Sequence, residues 1–385
     1  MSNVYVLLLV CAILAIFAQK MAIYKEKEGV LLAESSSKPN YAILLILLYL
    51  IMFAGLRTHM NDTYAYIVGF ERTANSIDGF NSINWIPGAH PLFHLYQLFI
   101  KVFISDNPQV LFLITACIVE TSMVTFLYKY SRSFSISLYM FIAFATFGFT
   151  MAAMKQTIAT SIAIWSIPEF AKKKNHIAML IIAVAALFHP YTIIFVSALF
   201  LCGHGIWNRR VYIVIIVTIL FGITFSWAIG GILSLTETIG RSYNSMWLEE
   251  GTGVSVFRVI AYLIFPFLSF LNRKIERLNS DSIQDIFINL SVVAGCLSFL
   301  SGIGGAVLLG RMPNYFDICI CIAAGYILTE ESYFANYRKI VQLIVVTAFL
   351  IYYITYYNKF YGSFFNSFRY DIYNHVSIFD VLRNW

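Results

Sequence analysis

Charged side chains are scarce in this 385-residue sequence, where Asp, Glu, Lys and Arg together make up 12% of the residues. A water-soluble domain carries about 25% charged residues, so this chain lacks the polar surface that folding in water requires. Hydrophobic residues make up 59%, and apolar runs of roughly 15–20 residues recur from end to end. In lipid, such runs must form helices that satisfy their own backbone hydrogen bonds. The sequence therefore predicts an all-α protein that crosses the membrane many times.

Several motifs are also missing. The chain has no G-x-x-x-x-G-K-[ST] and no G-x-G-x-x-G sequence, so a nucleotide phosphate loop is not supported. It has no D-x-D metal motif, and its six cysteines lie in apolar runs without C-x-x-C spacing. The cysteines are therefore expected to be small core residues. We expect neither a metal nor a cofactor, and the first apolar run is expected to be a retained span, not a signal peptide.

We predict about twelve transmembrane helices together with re-entrant or interfacial helices in one domain, 1–385. The predicted spans are 4–19, 40–56, 109–128, 134–151, 156–170, 176–188, 190–205, 211–229, 256–271, 283–300, 314–330 and 339–357. The net charge of +6 comes largely from short basic loops, and it indicates orientation, not nucleic-acid binding. Such loops stay in the cytoplasm, and the strongest of them is Lys172-Lys173-Lys174.

Placing every basic loop inside requires two conditions. The stretch 176–205 must cross twice, with His189 and Pro190 at the outer turn, and the short apolar segment 91–104 must lie on or dip into the outer face. If 91–104 crosses the membrane instead, the hairpin formed by the first two predicted spans would have the opposite orientation, with Lys25 and Lys27 outside. In the first arrangement the outer face receives the loop 57–108 with its membrane-associated helix, the loop 230–255, and an interfacial aromatic tail, 358–385.

Ionisable residues close to hydrocarbon are costly and are functional candidates for that reason. Each also has an ordinary explanation: Arg57 as a snorkelling residue, Asp62 as a helix N-cap, and His189 as a satisfied structural histidine. Lys155, beside Gln156, opens a predicted helix, where a cation has the wrong sign for the helix dipole. An anion is therefore expected near Lys155, either a carboxylate or a ligand phosphate.

Cations and aromatic residues on one outer face suit a membrane-bound diphosphate that carries sugars. The predicted cations, which would stabilise a departing lipid diphosphate, are Arg57, Lys155, Arg241, Arg258 and Arg311. One carboxylate or imidazole would deprotonate the acceptor hydroxyl. We expect Asp62 or His189 to be that base and the other to position substrate, with Asp62 preferred.

At these residues the chain resembles the EpsG family of exopolysaccharide polymerases, functional relatives of the Wzy polymerases of O-antigen and capsule. The matching pieces, in family order, are Gly55-Leu-Arg57 with Asp62-Thr-x-x-Tyr66-x-x-x-Phe70, Lys155-Gln156-x-x-Ala159, Phe188-His189, and Arg311-x-x-x-Tyr315-Phe316. The family typically has an Arg-Gln pair where this chain has Lys155-Gln156. Lysine keeps the charge but loses the bidentate guanidinium.

The resemblance implies a GT-C-like helical architecture in the bacterial cytoplasmic membrane, with the active site facing outside. It implies transfer of a growing glycan from undecaprenyl diphosphate to the non-reducing end of another lipid-linked repeat unit, without a nucleotide-sugar donor. Substrate would contact Gln156, Tyr66 and Tyr315 besides the cations. Partners would be the undecaprenyl-diphosphate-linked glycans, membrane lipid, and possible chain-length regulator and flippase proteins.

Two other classes of function remain open from the sequence. A flippase of lipid-linked oligosaccharide needs a central charged cavity reachable from both sides and usually internal repeats. No convincing repeat is present, and the charges favour one face. A membrane acyltransferase would use an intramembrane histidine, but further supporting motifs are missing.

The predicted sidedness can be tested by labelling single cysteines with a membrane-impermeant thiol reagent in intact cells. Positions near 75 and 245 should react, because both lie in predicted outer loops, whereas position 173 should not react. Permeabilised cells, in which position 173 becomes accessible, provide the control. Labelling of position 173 in intact cells would overturn the topology.

Overall fold

The computed structural model of the chain describes residues 4–27, 40–225, 231, 234, 237, 238, 254–276, 282–303, 307–329, 334–361 and 376–383. Within these ranges the regular elements are α-helices and 3₁₀ turns, and no strand occurs. The prediction of an all-α protein is confirmed for the described residues. Most of the predicted outer loop 230–255, including Arg241, and the middle of the predicted aromatic tail lie outside them.

The α-helices are α1 (Val4–Lys27), α2 (Tyr41–Gly55), α3 (Thr63–Glu71), α4 (Pro91–Phe103), α5 (Pro108–Tyr130), α6 (Phe134–Ala143), α7 (Thr146–Ala152), α8 (Met154–Ala163), α9 (Ser166–Ala171), α10 (Asn175–Phe188), α11 (Ser197–Leu201), α12 (Arg209–Ile223), α13 (Val256–Glu276), α14 (Ser282–Ile303), α15 (Val307–Arg311), α16 (Asp317–Ile327), α17 (Arg338–Tyr361) and α18 (Ile378–Arg383). Short 3₁₀ helices lie at Ile77–Ser82, Pro87–Ala89, Pro190–Val196, Pro313–Phe316 and Ala335–Tyr337.

Four of these helices contain stretches long and apolar enough to cross a membrane. The stretches are Pro108–Tyr130, Val256–Lys274, Ile283–Ile303 and Arg338–Tyr357. A fifth span results if α6 and α7, bent by 51° at their junction, cross as one unit. The bend follows from Ala145, whose positive φ of 66° interrupts the helix. The wider prediction of about twelve spans with a GT-C-like architecture stays a prediction.

Several predicted spans correspond to shorter helices. The predicted span 156–170 falls on α8 and α9, which are separated by a turn, and 190–205 begins as the 3₁₀ helix Pro190–Val196. Helix α4, predicted to lie at the outer face, has 13 residues, about 20 Å of helix. This is shorter than the roughly 30 Å hydrocarbon core, and so are the 14-residue α10 and the 15-residue α2, which were predicted to cross. The position of α4 at the outer face therefore stays a prediction.

The chain divides into two compact units. The first unit contains Met1–Phe80, Tyr96–Met154 and Gln342–Trp385, and the second contains Asn81–Leu95 and Lys155–Val341. Each unit has its own buried helix. In the first unit this is α5, which packs against α2, and in the second it is α16, in which every residue is buried.

The first unit positions the turn after α2 through a close contact. A Cβ atom on Gly55 would lie 2.7 Å from Leu113 Cδ1 and 2.9 Å from Leu113 Cα, so only glycine lets α2 and α5 approach this closely. Gln109 Nε2 then donates hydrogen bonds to the Gly55 carbonyl (2.5 Å) and the Arg57 carbonyl (3.1 Å). The glycine of the Gly55-Leu-Arg57 motif is therefore explained by helix packing.

The second unit is built around α14 and α16. Helix α14 packs against α12, α13, α16 and the 3₁₀ turn Pro313–Phe316. The short helix α15 ends at Arg311, and Pro313, which has no backbone N–H, begins the 3₁₀ turn that leads into α16. The segment between α15 and α16 therefore enters the interior of the unit, where its polar groups need partners.

Lys101 caps α3 in the first unit, and removal of its ammonium is expected to destabilise the protein. Its ammonium donates hydrogen bonds to the carbonyls of Phe70 (2.8 Å), Glu71 (2.7 Å) and Thr73 (2.6 Å) at the C-terminal end of α3. A cation there complements the helix dipole and satisfies terminal carbonyls. Lys101→Met should therefore lower the free energy of unfolding by about 1–2 kcal/mol, measured by denaturation of the purified protein in detergent.

The exposed lysine of α1, Lys20, provides the control substitution Lys20→Met. That variant should unfold as the wild-type protein does. Equal stability of the Lys101→Met and Lys20→Met variants would contradict a capping role for Lys101.

Candidate functional site

Residues Arg311–Asp317, which we name the 311–317 segment, run from the last residue of α15 to the first residue of α16. Arg311 is exposed and Met312 is half-buried, whereas the residues from Pro313 to Asp317 are buried. Polar groups inside a protein are costly unless they are hydrogen-bonded. The segment meets this requirement through side chains of α8, α13 and the turn after α10.

Two of these contacts come from side chains that the sequence analysis selected. Gln156, at the start of α8, donates from Nε2 to the Arg311 carbonyl at 2.9 Å. His189, directly after α10, shares a 2.5 Å hydrogen bond between its Nδ1 and the Tyr315 hydroxyl. The predicted residues Gln156, His189, Arg311 and Tyr315 are therefore brought together within the second unit.

The other two contacts come from α13. Arg258 Nη2 donates a hydrogen bond to Asn314 Oδ1, and the guanidinium carbon lies 5.5 Å from the centroid of the Tyr262 ring. The Tyr262 hydroxyl donates to Asp317 Oδ1 at 2.5 Å. Arg258 was a predicted site residue, and Asn314 and the aromatic ring together fix the plane of its guanidinium.

His189 is held by further residues around its imidazole. Tyr191 contacts the ring edge-on, with 5.4 Å between ring centroids. The ring of His90 stacks on it at a centroid distance of 5.2 Å and an interplanar angle of 22°. His189 is half-buried and His90 is buried. The imidazole therefore has a defined orientation.

Lys155 is the second residue of α8, which confirms the prediction that a cation stands at a helix N-terminus. Its ammonium lies 5.3 Å from the centroid of the Phe93 ring, a cation–π arrangement. Phe93 is in the first turn of α4, the turn that also follows His90. One short stretch of chain thus contacts both Lys155 and His189.

The first unit holds the predicted residues Arg57, Asp62 and Tyr66, and there Arg57 is 3% exposed. Its Nη1 donates to the Ala54 carbonyl and its Nε donates to Thr63 Oγ1 at 3.3 Å, while the guanidinium carbon lies 4.5 Å from the Phe112 centroid. A snorkelling arginine keeps its charged group in water, so that explanation does not fit. Arg57 instead ties the end of α2 to the start of α3.

Asp62 and Tyr66 lie on the same stretch, and both are half-buried. Asp62 occupies the N-cap position of α3 as expected, but its side chain makes no capping hydrogen bond. The ordinary explanation of Asp62 as a helix cap is therefore supported by its position and not by its side-chain geometry.

Several buried polar residues of the structure were not predicted from the sequence. Two are acids within predicted spans: Asp317, in 314–330, and Glu120, in 109–128. Glu120 is 1% exposed and accepts a 2.7 Å hydrogen bond from Thr150. An acid inside an apolar run is itself a signal of function or of a buried polar network, and this signal was available in the sequence. Nothing in the sequence pairs His90 with His189, which are 99 positions apart.

The described residues contain no group of three or more His, Cys, Asp or Glu side chains that could hold a metal ion. What the site does present is an imidazole, two guanidinium groups and an ammonium, together with hydroxyl and amide groups. Such a set can bind an anionic group by charge-assisted hydrogen bonds and accept a proton from a hydroxyl.

Comparison with known proteins places the chain in a family. No curated protein and no solved structure matches it. The model of the EpsG family, whose members are Wzy-type polymerases, matches residues 40–372. This range covers most of the chain and includes every predicted site residue from Arg57 to Tyr315. The chain therefore belongs to the EpsG family.

Proposed function

We propose that the protein is a polysaccharide polymerase that joins undecaprenyl-diphosphate-linked oligosaccharide repeat units at the outer face of the bacterial cytoplasmic membrane. Membership of the EpsG family supports the polymerase role. The single observation that carries the mechanism is the hydrogen bonding of the 311–317 segment, which gathers an imidazole and two arginines in one unit.

The proposed reaction is a glycosyl transfer between two lipid-linked glycans. The hydroxyl at the non-reducing end of one glycan forms a bond to the anomeric carbon of the other. The bond from that carbon to the diphosphate oxygen breaks, and undecaprenyl diphosphate leaves with the electron pair. The hydroxyl proton passes to a base on the protein. No nucleotide sugar takes part.

We assign the base to His189. Its Nδ1 is engaged with the Tyr315 hydroxyl, so proton transfer from a substrate would use Nε2 in a ring whose orientation is fixed. The sequence favoured Asp62, which belongs to the first unit, whereas the contacts that orient an imidazole for proton transfer are those of His189 in the second unit. A role of Asp62 and Tyr66 in positioning substrate stays a prediction from the sequence.

The cations would stabilise the departing diphosphate. Arg311 is exposed and Lys155 and Arg258 are half-buried, and the hydrogen bond to Asn314 orients the guanidinium of Arg258 before substrate arrives. Preorganised positive charge costs little reorganisation during reaction. The buried side chain of Arg57 holds the α2–α3 turn of the first unit.

The assignment of the base predicts the behaviour of three variants in polymer formation from purified lipid-linked repeat units. His189→Gln should lose most of the rate and the acidic limb of the pH profile, because a general base contributes about 10²–10⁴-fold. Tyr315→Phe should retain a base but lower kcat, because the imidazole loses its orienting bond. Asp62→Asn should raise KM and leave the shape of the pH profile unchanged.

Each variant should be compared at equal abundance and with the same elution volume in detergent as the wild-type protein. If His189→Gln keeps the wild-type pH profile and Asp62→Asn loses the acidic limb, the base is Asp62 and not His189. Absence of polymer with the wild-type protein would contradict the proposed function itself.

The charge assignment predicts the effect of removing the arginines. Arg311→Ala and Arg258→Ala should each lower the rate about tenfold to a hundredfold, since a charge-assisted hydrogen bond contributes about 1.5–3 kcal/mol. Arg258→Lys should recover little, because lysine lacks the planar guanidinium that Asn314 and Tyr262 hold. The measurement is initial rate at saturating donor, with Arg209→Ala, an exposed arginine of α12, as the control. Full activity of both alanine variants would rule out the assignment.

A further inference from the structure

We propose that His90 is a positioning residue for His189, which it restrains through the preceding backbone and through the plane of its ring. This inference rests on the proposed function, in which His189 is the base. His90 lies in the second unit, far from His189 in the sequence, and no motif identifies it.

The first restraint acts on the backbone. His90 Nδ1 lies 2.9 Å from the Phe188 carbonyl oxygen. Because a carbonyl oxygen only accepts, Nδ1 of His90 must carry a proton and donate it. Phe188 is the last residue of α10, and His189 follows it directly. The bond therefore anchors the peptide from which the His189 side chain projects.

The second restraint acts on the imidazole plane. The two rings are nearly parallel, with an interplanar angle of 22° and centroids 5.2 Å apart. The Tyr315 bond fixes one nitrogen of His189 but still allows the ring to pivot about that contact. Stacking on His90 opposes this rotation and so defines the direction in which Nε2 points. A displacement of about 1 Å in a catalytic group can cost a hundredfold in rate.

His90 adopts a backbone conformation that the surrounding structure must enforce. Its φ is 58°, in the left-handed region, and the next residue is Pro91, which favours an extended conformation before it. The residue is also only 6% exposed. Residues held in such conformations cluster at functional sites, where neighbouring contacts offset the strain. The backbone of His90 is held by its own hydrogen bonds, since its N–H donates to the Pro87 carbonyl at 3.1 Å and its carbonyl accepts from the N–H groups of Phe93 and His94 at 3.0 and 3.1 Å. The side chain is then directed toward Phe188 and His189.

Further hydrogen bonds hold the backbone on both sides of His189, so the contribution of His90 that they do not duplicate is the restraint on the imidazole ring. The backbone N–H and the hydroxyl of the buried Thr192 donate to the His189 carbonyl at 3.1 and 2.8 Å. These bonds fix the peptide on the C-terminal side of His189. On its N-terminal side the His189 N–H donates to the Ala185 carbonyl at 3.0 Å, and His90 binds the carbonyl group of the same peptide.

The test uses two substitutions whose backbone preferences suit a φ of 58°. Glycine adopts this conformation without strain, so His90→Gly deletes the ring without forcing the chain to move. Asparagine also tolerates it, and its side-chain amide supplies a donor near the position of Nδ1. His94→Ala is the matched control, since His94 lies one turn further along α4 and is half-buried.

His90→Gly should lower kcat for polymer formation on the order of a hundredfold with little change in KM. His90→Asn should recover part of this loss, and His94→Ala should behave as the wild-type protein. If His90→Gly keeps the wild-type kcat while the wild-type protein forms polymer, the inference about His90 is wrong and the proposed function is unaffected. Equal loss in His90→Gly and His90→Asn together with a lower melting temperature would also overturn it, because the role would then be structural. An inactive wild-type protein would instead overturn the proposed function, and this inference with it.

Discussion

The second unit depends on one constraint, namely that the polar groups of the 311–317 segment must be hydrogen-bonded where the chain enters an apolar interior. Pro313 turns the chain inward, and the buried Asn314, Tyr315 and Asp317 then meet side chains from elements far apart in the sequence. Satisfying these groups fixes Arg258 and His189 in space. The contacts that make the fold possible are thus also those that assemble the candidate site.

In the proposed reaction, this arrangement would serve the two demands of glycosyl transfer between lipid diphosphates. The guanidinium of Arg258, oriented before substrate binds, would contribute positive charge for the leaving group, and the base would be the imidazole held through the Tyr315 hydroxyl and the ring of His90. Preorganised groups of this kind are the main source of electrostatic stabilisation in enzymes. The first unit uses its own polar residues differently, since Arg57 and Lys101 hold the turns at the two ends of α3.

The sequence predicted the helical class, the long apolar helices and most of the residues that the 311–317 segment brings together, because hydropathy and ionisable residues in apolar surroundings are strong signals. Helix α5 spans Pro108–Tyr130 where 109–128 was predicted. Breaks such as the one at Ala145 were not predicted, because a positive φ at alanine is imposed by tertiary packing. His90 was missed for a related reason: its contact with His189 joins residues 99 positions apart, which no local pattern encodes.

The most direct test of the account is photocrosslinking with a lipid-diphosphate-linked glycan that carries a photoreactive group beside the diphosphate. Mass spectrometry of the purified, irradiated protein would locate the modified peptide. The account predicts adducts within the 311–317 segment or the first turn of α8, diminished in Arg311→Ala and competed by unlabelled lipid-linked repeat unit. Specific, competable adducts confined to other parts of the chain would contradict the claim that this segment organises the site.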